Sequence, residues 1–351
     1  MTRYIGLDAH SESCTIVVMG SSGRRLKQER LETNAALLKK FVSSVPRPRL
    51  LCMEEGNLSE WLYEELEPLV DELVVVIPDK DSGNKNDLID AWKRADELRR
   101  DAVQRRVFKA PDRFRALREA TRSHWVMQRD KVRAKTRIHA LCRGCGHADL
   151  PKELYAPATR LDALQKLPEH YRARAALYCE QLDGLTECTR RAERWLHEEA
   201  ERVPIIRRLA TAPGIGIIRA SYIASIVITP HRFRTSRQFW SYCGLAVVTR
   251  SSSDWVRDNS GTRWRRGKTQ QTRGLNLNRN PALKNVFKGA AMQIARMTDS
   301  PLGQAYEKLL LTTKPNLARL TIARRLAAAV LAMWKNDQDY DPSKHTAPEP
   351  Q

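Results

Sequence analysis

No stretch of the 351 residues is apolar for anything near the ~18–20 positions that a membrane-spanning helix needs, which excludes a helical membrane protein. The opening residues MTRYIGLDAH have no charged segment followed by an apolar one, so no secretory leader is expected and the cytoplasm is the expected location. Cysteine is sparse and odd in number. Seven scattered positions fit reduced thiols and not a disulfide framework. No internal repeat or low-complexity tract is present. Acidic residues are also short: 41 Asp+Glu against 61 Lys+Arg leave a formal charge of +20. A hydrophobic content of 42% is nevertheless ordinary for a folded protein and too high for a disordered basic tail. The length supports two or three domains with cores of their own.

The excess charge is concentrated. Arg99 to Arg143 holds 15 basic and 4 acidic residues, and Arg250 to Lys288 holds 10 and 2. These two blocks carry 19 of the 20 excess charges. Concentrated positive surface selects a polyanionic partner, because each neutralised phosphate releases counterions. A solvated helix face is the plain alternative. Two separate blocks on an otherwise balanced chain favour nucleic acid.

Apolar runs at 3–8 and 14–19 and a third, polar strand near 24–31, separated by polar turns, predict an antiparallel meander. Helical spacing follows at 34–43, with Asn34 as N-cap, then a strand at 49–53, a helix at 59–69, a strand at 73–77 and a helix at 87–98. This order predicts an α/β domain with a central mixed sheet over residues 1–105. Residues 106–203 read as a basic helical hairpin or coiled coil. Residues 204–336 read as a mainly α-helical domain interrupted by a basic loop at 250–280, and 337–351 as a polar, disordered tail.

Asp8 ends the first predicted strand, and Glu54 and Glu55 end a later one. Asp87 and Asp90 share a helical face through their i, i+3 spacing. Four converging carboxylates would hold two Mg²⁺ ions for phosphoryl transfer. The alternative is a turn aspartate, two solvated glutamates and two aspartates at the positive end of a helix dipole. The order strand-Asp, strand-Glu, helix-Asp-x-x-Asp resembles the RuvC/RNase H-like fold, whose acidic residues share metals.

A second constellation lies downstream. Pro213-Gly214-Ile215-Gly216 sits between two apolar helical stretches. There Gly214 and Gly216 would either open a helix N-terminus toward phosphate, as in helix–hairpin–helix modules, or make a tight turn. Ser251-Ser252-Ser253 lies among Arg250, Arg257, Arg263, Arg265, Arg266, Lys268 and Arg273. A hydroxyl in that field is either an activated nucleophile or part of a phosphate-binding loop. Trp255 and Trp264 in the same segment either stack on unpaired bases or pack. His139, Cys142, Cys145 and His147 have zinc-capable side chains, but four ligands in nine residues of a helix cannot converge without unwinding it.

Asp8, Glu54-Glu55-Gly56 and Lys85-x-Asp87-x-x-Asp90-Ala91 resemble the DEDD signature of insertion-sequence-110 family transposases. Pro213-Gly214-Ile215-Gly216, Gly244-Leu245, the Ser252 region and Arg273-Gly274-Leu275-Asn276 resemble that family's C-terminal domain. The resemblance implies a RuvC-like domain, a coiled coil and a transposase domain with a serine nucleophile. It implies a DNA recombinase guided by a bridge RNA, binding donor and target DNA as a dimer that assembles to a tetramer. Asp8, Glu54, Asp87 and Asp90 would be Mg²⁺ ligands, and Ser252 would attack the scissile phosphate. Many members have Glu-Ala-Thr-Gly where this chain has the shorter Glu54-Glu55-Gly56. Strand-end position selects Glu54 over Glu55. Counting from Gly244-Leu245 selects Ser252, with Ser251 next. A hydrolytic junction nuclease and a non-catalytic nucleic-acid scaffold are the competing readings.

Overall fold

The computed structural model describes residues 1–78, 86–110, 113–251, 255–257, 264–266 and 271–345, with backbone alone between 249 and 273. It divides into two compact units, Met1–Arg113 and Phe114–Gln351.

The first unit opens with the expected meander, β1 (Arg3–Ala9), β2 (Ser13–Gly20) and β3 (Arg25–Glu32). Then come α1 (Ala35–Ser44), β4 (Arg49–Glu54), α2 (Ser59–Leu66), β5 (Glu72–Val76), α3 (Asp87–Arg99) and the short β6 (Arg106–Val107). Asn34 caps α1 as predicted, its side chain accepting from the Ala36 N–H at 2.8 Å. The sheet order is β3-β2-β1-β4-β5-β6. β4 runs parallel to β1 and β5 parallel to β4, while β2, β3 and β6 pair antiparallel. The outer strand β3 is exposed along most of its length and carries Arg25, Lys27, Glu29 and Arg30, charges that oppose further pairing at this edge.

Alternation along the strands builds two faces. Ile5, Leu7, Leu51, Met53 and Val75 pack with Leu38, Phe41, Leu62 and Leu66 of α1 and α2. Cys52, Val74 and Val76 pack with Leu98 of α3 on the other face. Gly6 lies beneath α3. A Cβ there would overlap the Ala91 carbonyl oxygen and stand 2.7 Å from the Ala95 nitrogen. Glycine thus lets α3 sit directly on β1, which brings the start of α3 to the end of that strand. Gly6→Ala is expected to lower stability by about 1–3 kcal/mol through overpacking. An unchanged urea midpoint would refute this close approach.

In the second unit α4 (Arg115–Gly144), α5 (Pro151–Tyr155), α6 (Pro157–Gln165) and α7 (Glu169–Glu201) form a helical arm. α4 and α7 run antiparallel. Leu117 and Ala120 share a cluster with Leu196 and Ala200, whereas Ile138 and Cys142 share one with Ala175 and Cys179. The chain continues through α8 (Pro204–Leu209), α9 (Ile217–Val227), α10 (Ser236–Tyr242), β7 (Val247–Ser251), β8 (Trp255–Arg257), β9 (Trp264–Arg266) and β10 (Gln271–Leu275). It ends with α11 (Pro281–Ile294), α12 (Pro301–Leu310) and α13 (Pro315–Asn336). The root of the arm shares one core with Ile206, Ile223, Phe287 and Leu326, so the 106–203 and 204–336 segments are joined by apolar packing.

Three features differ from the sequence reading. The basic segment 250–280 is not simply a loop: β7 pairs antiparallel with β10 and β8 with β9. Short, arginine-rich strands hide the apolar alternation that marks longer ones. α12 carries a start signal that apolar periodicity alone overlooks, with Ser300 accepting from the Gly303 N–H at 3.0 Å and Pro301 at the first turn. Residues 337–345 are not a free tail. Tyr340 packs against the core and its N–H donates to the Thr211 hydroxyl at 2.9 Å, while Arg208 pairs with Asp337 and Asp339. One partly buried aromatic ring anchors this stretch despite the polar composition around it.

Candidate metal and nucleic-acid site

Asp8 stands near the end of β1, its side chain only 15% exposed. Period-two alternation puts His10 on the same side, just beyond the strand. The loop backbone is anchored there: the His10 N–H donates to the Ser13 carbonyl at 3.0 Å, and the Thr33 hydroxyl donates to the His10 carbonyl at 2.7 Å. Asp87 is the first residue of α3. Asn86 caps this helix, its side chain accepting from the Leu88 N–H at 3.0 Å. His10 Nε2 lies 3.1 Å from Asp8 Oδ2 and 3.5 Å from Asp87 Oδ1. The three ligand atoms lie within 4.8 Å of one another. Asp90 follows one turn later, and its N–H donates to the Asn86 carbonyl at 3.0 Å.

Burial is the main force lifting the Asp8 carboxyl above its ordinary value. The charge and hydrogen bond of His10 pull it down, and the like charges of Asp87 and Asp90 push it up. Asp87 and Asp90 therefore act electrostatically on Asp8, at the start of α3 where the dipole favours anions. Hard oxygen donors beside an imidazole suit a divalent cation such as Mg²⁺ or Mn²⁺. A groove of about 340 Å³ opens beside them, lined by Thr15, Gln28, Arg30 and Asp87 among others.

Glu54 reaches this face by another route. The β1–β4 register pairs Gly6 with Cys52 and Leu7 with Met53 and ends there, one residue before Asp8 and Glu54. Glu54 Oε1 accepts from Arg94 Nε at 3.1 Å and Nη2 at 2.8 Å, and the same guanidinium also holds Glu97. Arg94 is 4% exposed. Glu55 turns the other way, toward Lys109 Nζ at 2.8 Å, which also donates to the Ser59 hydroxyl.

Sequence reasoning missed His10 and Arg94. Both left a signal. His10 is two residues beyond a strand-end aspartate, and Arg94 interrupts the buried stripe Ala91, Ala95, Leu98 of α3. Among the described residues no cluster forms from His139, Cys142, Cys145 and His147; the one convergent His/Cys/Asp/Glu group is Asp8, His10 and Asp87.

The other sites lie in the second unit. Gly214 adopts φ +71°, and a Cβ there would stand 2.8 Å from the Ala290 carbonyl oxygen, so steric demand accounts for this glycine. Gly216 is exposed as the N-cap of α9. Ser252, Arg263 and Lys268 lie outside the described residues. Arg250, Arg257, Arg265, Arg266 and Arg273 fall on the backbone of the paired strands β7 to β10. No helix among the described residues is long and apolar enough to cross a membrane.

Two family models match the chain. One for DEDD transposases of IS110 type, described as "Transposase", covers residues 5–146. The other, described as "Transposase IS116/IS110/IS902 family", covers residues 206–307. The transposase for insertion sequence element IS1328 of Yersinia enterocolitica is 24% identical over 257 residues, 69% of this chain and 72% of the relative.

Proposed function

Because the chain carries both domains of the IS110-family transposases, we propose that this DNA-transposition protein joins donor and target DNA by serine attack beside metal-binding carboxylates, guided by an RNA. The observation that carries the reading is the approach of Asp8 and Asp87 at the end of β1 and the start of α3, with Asp90 in electrostatic reach. The sheet order β3-β2-β1-β4-β5 with its parallel β1-β4-β5 core supports a RuvC/RNase H-like assignment.

Asp8, Asp87, Asp90 and Glu54 are the residues that would hold Mg²⁺. When bound, the ion would supply charge stabilisation at the scissile phosphate. Ser252 is the proposed nucleophile: its oxygen bonds to phosphorus as the O3′–P bond breaks, leaving a 5′-phosphoserine link and a free 3′-hydroxyl. The paired basic strands that flank it in sequence, with Gly216 exposed at the start of α9, are proposed to hold phosphate backbone. The α4–α7 pair is read as a coiled coil, and a dimer assembling to a tetramer would bring enough basic surface for two duplexes and a guide.

The test is an SDS-resistant protein–DNA adduct, formed with Mg²⁺ on DNA carrying the element's ends. Ser252→Ala should abolish the adduct and strand joining, while Ser251→Ala should retain both. Cutting by Ser252→Ala without an adduct would replace serine attack with hydrolysis by water. Undiminished joining after RNase treatment of an RNA-free preparation would remove the guide from the reading.

A further inference from the structure

A cavity of about 190 Å³ lies in the second unit between α4, α9 and α11, remote in sequence from the carboxylates and the serine loop. Trp125 and Tyr222 form its aromatic wall, with ring centroids 5.8 Å apart and planes at 65°. Ile226 and Ala282 complete the apolar lining, and Arg118 and Arg122 add two guanidinium groups. The arginines are one turn apart and so share a face of α4. The wall is preset. The Tyr222 hydroxyl is hydrogen-bonded to His124 Nδ1 at 2.8 Å, and His124 itself is buried. Burial lowers the His124 pKa and raises that of Tyr222, so this pair is neutral and the positive charge of the cavity comes from its arginines.

These properties narrow the occupant. The volume is below the about 300 Å³ at which pockets for drug-sized ligands begin, so it suits one planar ring system. Aromatic walls favour stacking, and the guanidiniums favour phosphate. The surrounding helix belongs to the block from Arg99 to Arg143, with 15 basic and 4 acidic residues. Arg122 pairs with Glu119 at 3.3 Å on the exposed side, a weak pair that phosphate can displace.

We propose that this cavity binds a single unpaired nucleotide of a nucleic-acid strand, its base against Trp125 and its phosphate at Arg118 and Arg122. The site senses bulged or flipped-out bases, which a continuous duplex does not offer. The inference rests on the nucleic-acid-binding part of the proposed function but not on the carboxylates or on Ser252.

The test is fluorescence polarisation of the full chain with a labelled duplex and the same duplex carrying one bulged nucleotide, each made in DNA and in RNA. The unaltered chain should bind the bulged form about tenfold more tightly. Trp125→Ala should remove that preference while duplex binding persists. Trp125→Phe, which keeps an aromatic wall, should retain most of it. Ala282→Leu adds bulk to the lining and should also remove it. Equal binding of both forms by the unaltered chain, or a preference that survives Trp125→Ala and Ala282→Leu, overturns the proposal. A bulge preference confined to DNA or to RNA identifies the strand that supplies the base. Failure to bind any of the four probes overturns the proposal together with the nucleic-acid reading; duplex binding without a bulge preference overturns the proposal alone.

Discussion

Replacing Asp8 by asparagine is expected to abolish DNA strand joining while leaving a folded chain that is at least as stable as the parent. Several kcal/mol of transition-state charge stabilisation pass through a catalytic metal. At about 1.4 kcal/mol per tenfold, losing a ligand to it costs roughly 10³-fold or more in rate. Stability moves the other way because burial raises the Asp8 pKa above 3.8. A carboxyl that holds its proton more tightly when folded loses folding free energy as the pH rises from the unfolded value through the folded one. At neutral pH Asp8 therefore carries a penalty that asparagine lacks. Urea midpoints of the two proteins should diverge in the variant's favour between acid and neutral pH. Mg²⁺ should raise the parent's melting temperature and raise that of Asp8→Asn much less, since ligand binding at 100 times Kd adds about 2.7 kcal/mol. An active Asp8→Asn protein would remove this carboxylate from the chemistry.

Arg94→Ala should produce the largest loss of stability. Its guanidinium is shared by Glu54 and Glu97, and the three side chains are 5%, 29% and 18% exposed. Removing the cation leaves two carboxylates in a poorly hydrated site, at a cost of about 3–5 kcal/mol. Glu97→Gln added to Arg94→Ala should recover part of it, because one of the stranded charges is then gone. The site should respond as well. Without Arg94, Glu54 carries an uncompensated charge; with Glu54 a ligand as proposed, the Mg²⁺-induced rise in melting temperature should exceed the parent's. A loss under 1 kcal/mol, with an unaltered response to Mg²⁺, would show that the ion pair neither supports the fold nor presents Glu54 to a cation.

Much of the site was legible because the residues concerned obey local periods. Asp8 ends a strand whose apolar alternation is clear, and Asp87 and Asp90 begin a helix capped by Asn86. These relations extend over only a few residues, so a one-dimensional reading captures them. The choice between Glu54 and Glu55 is different. Glu54 is the last residue of β4 and Glu55 follows it, and adjacent residues on an extended chain point to opposite faces. In the fold Glu54 is held by Arg94 of α3 and Glu55 by Lys109. The partnership of Arg94 with Glu54 spans 40 residues of chain and has no local signature beyond a charge on an apolar stripe.

The basic segment shows the opposite failure. Its composition announced a polyanion-binding surface, and the charge count remains what it was. That β7 would pair with β10 and β8 with β9 depended on backbone pairing between positions up to 28 residues apart. Short arginine-rich strands do not advertise such pairs.

The sequence by itself determined the element order of the first unit from β1 to α3, the placement of three aspartates at element ends and the confinement of nearly all excess charge to two blocks. Propensity, capping and composition act over neighbouring residues. Only the tertiary structure decided that Arg94 holds Glu54, that His10 stands between Asp8 and Asp87, and that Trp125 meets Tyr222 across 97 positions. Those outcomes depend on which faces are buried together, and burial is settled by the packing of the whole unit.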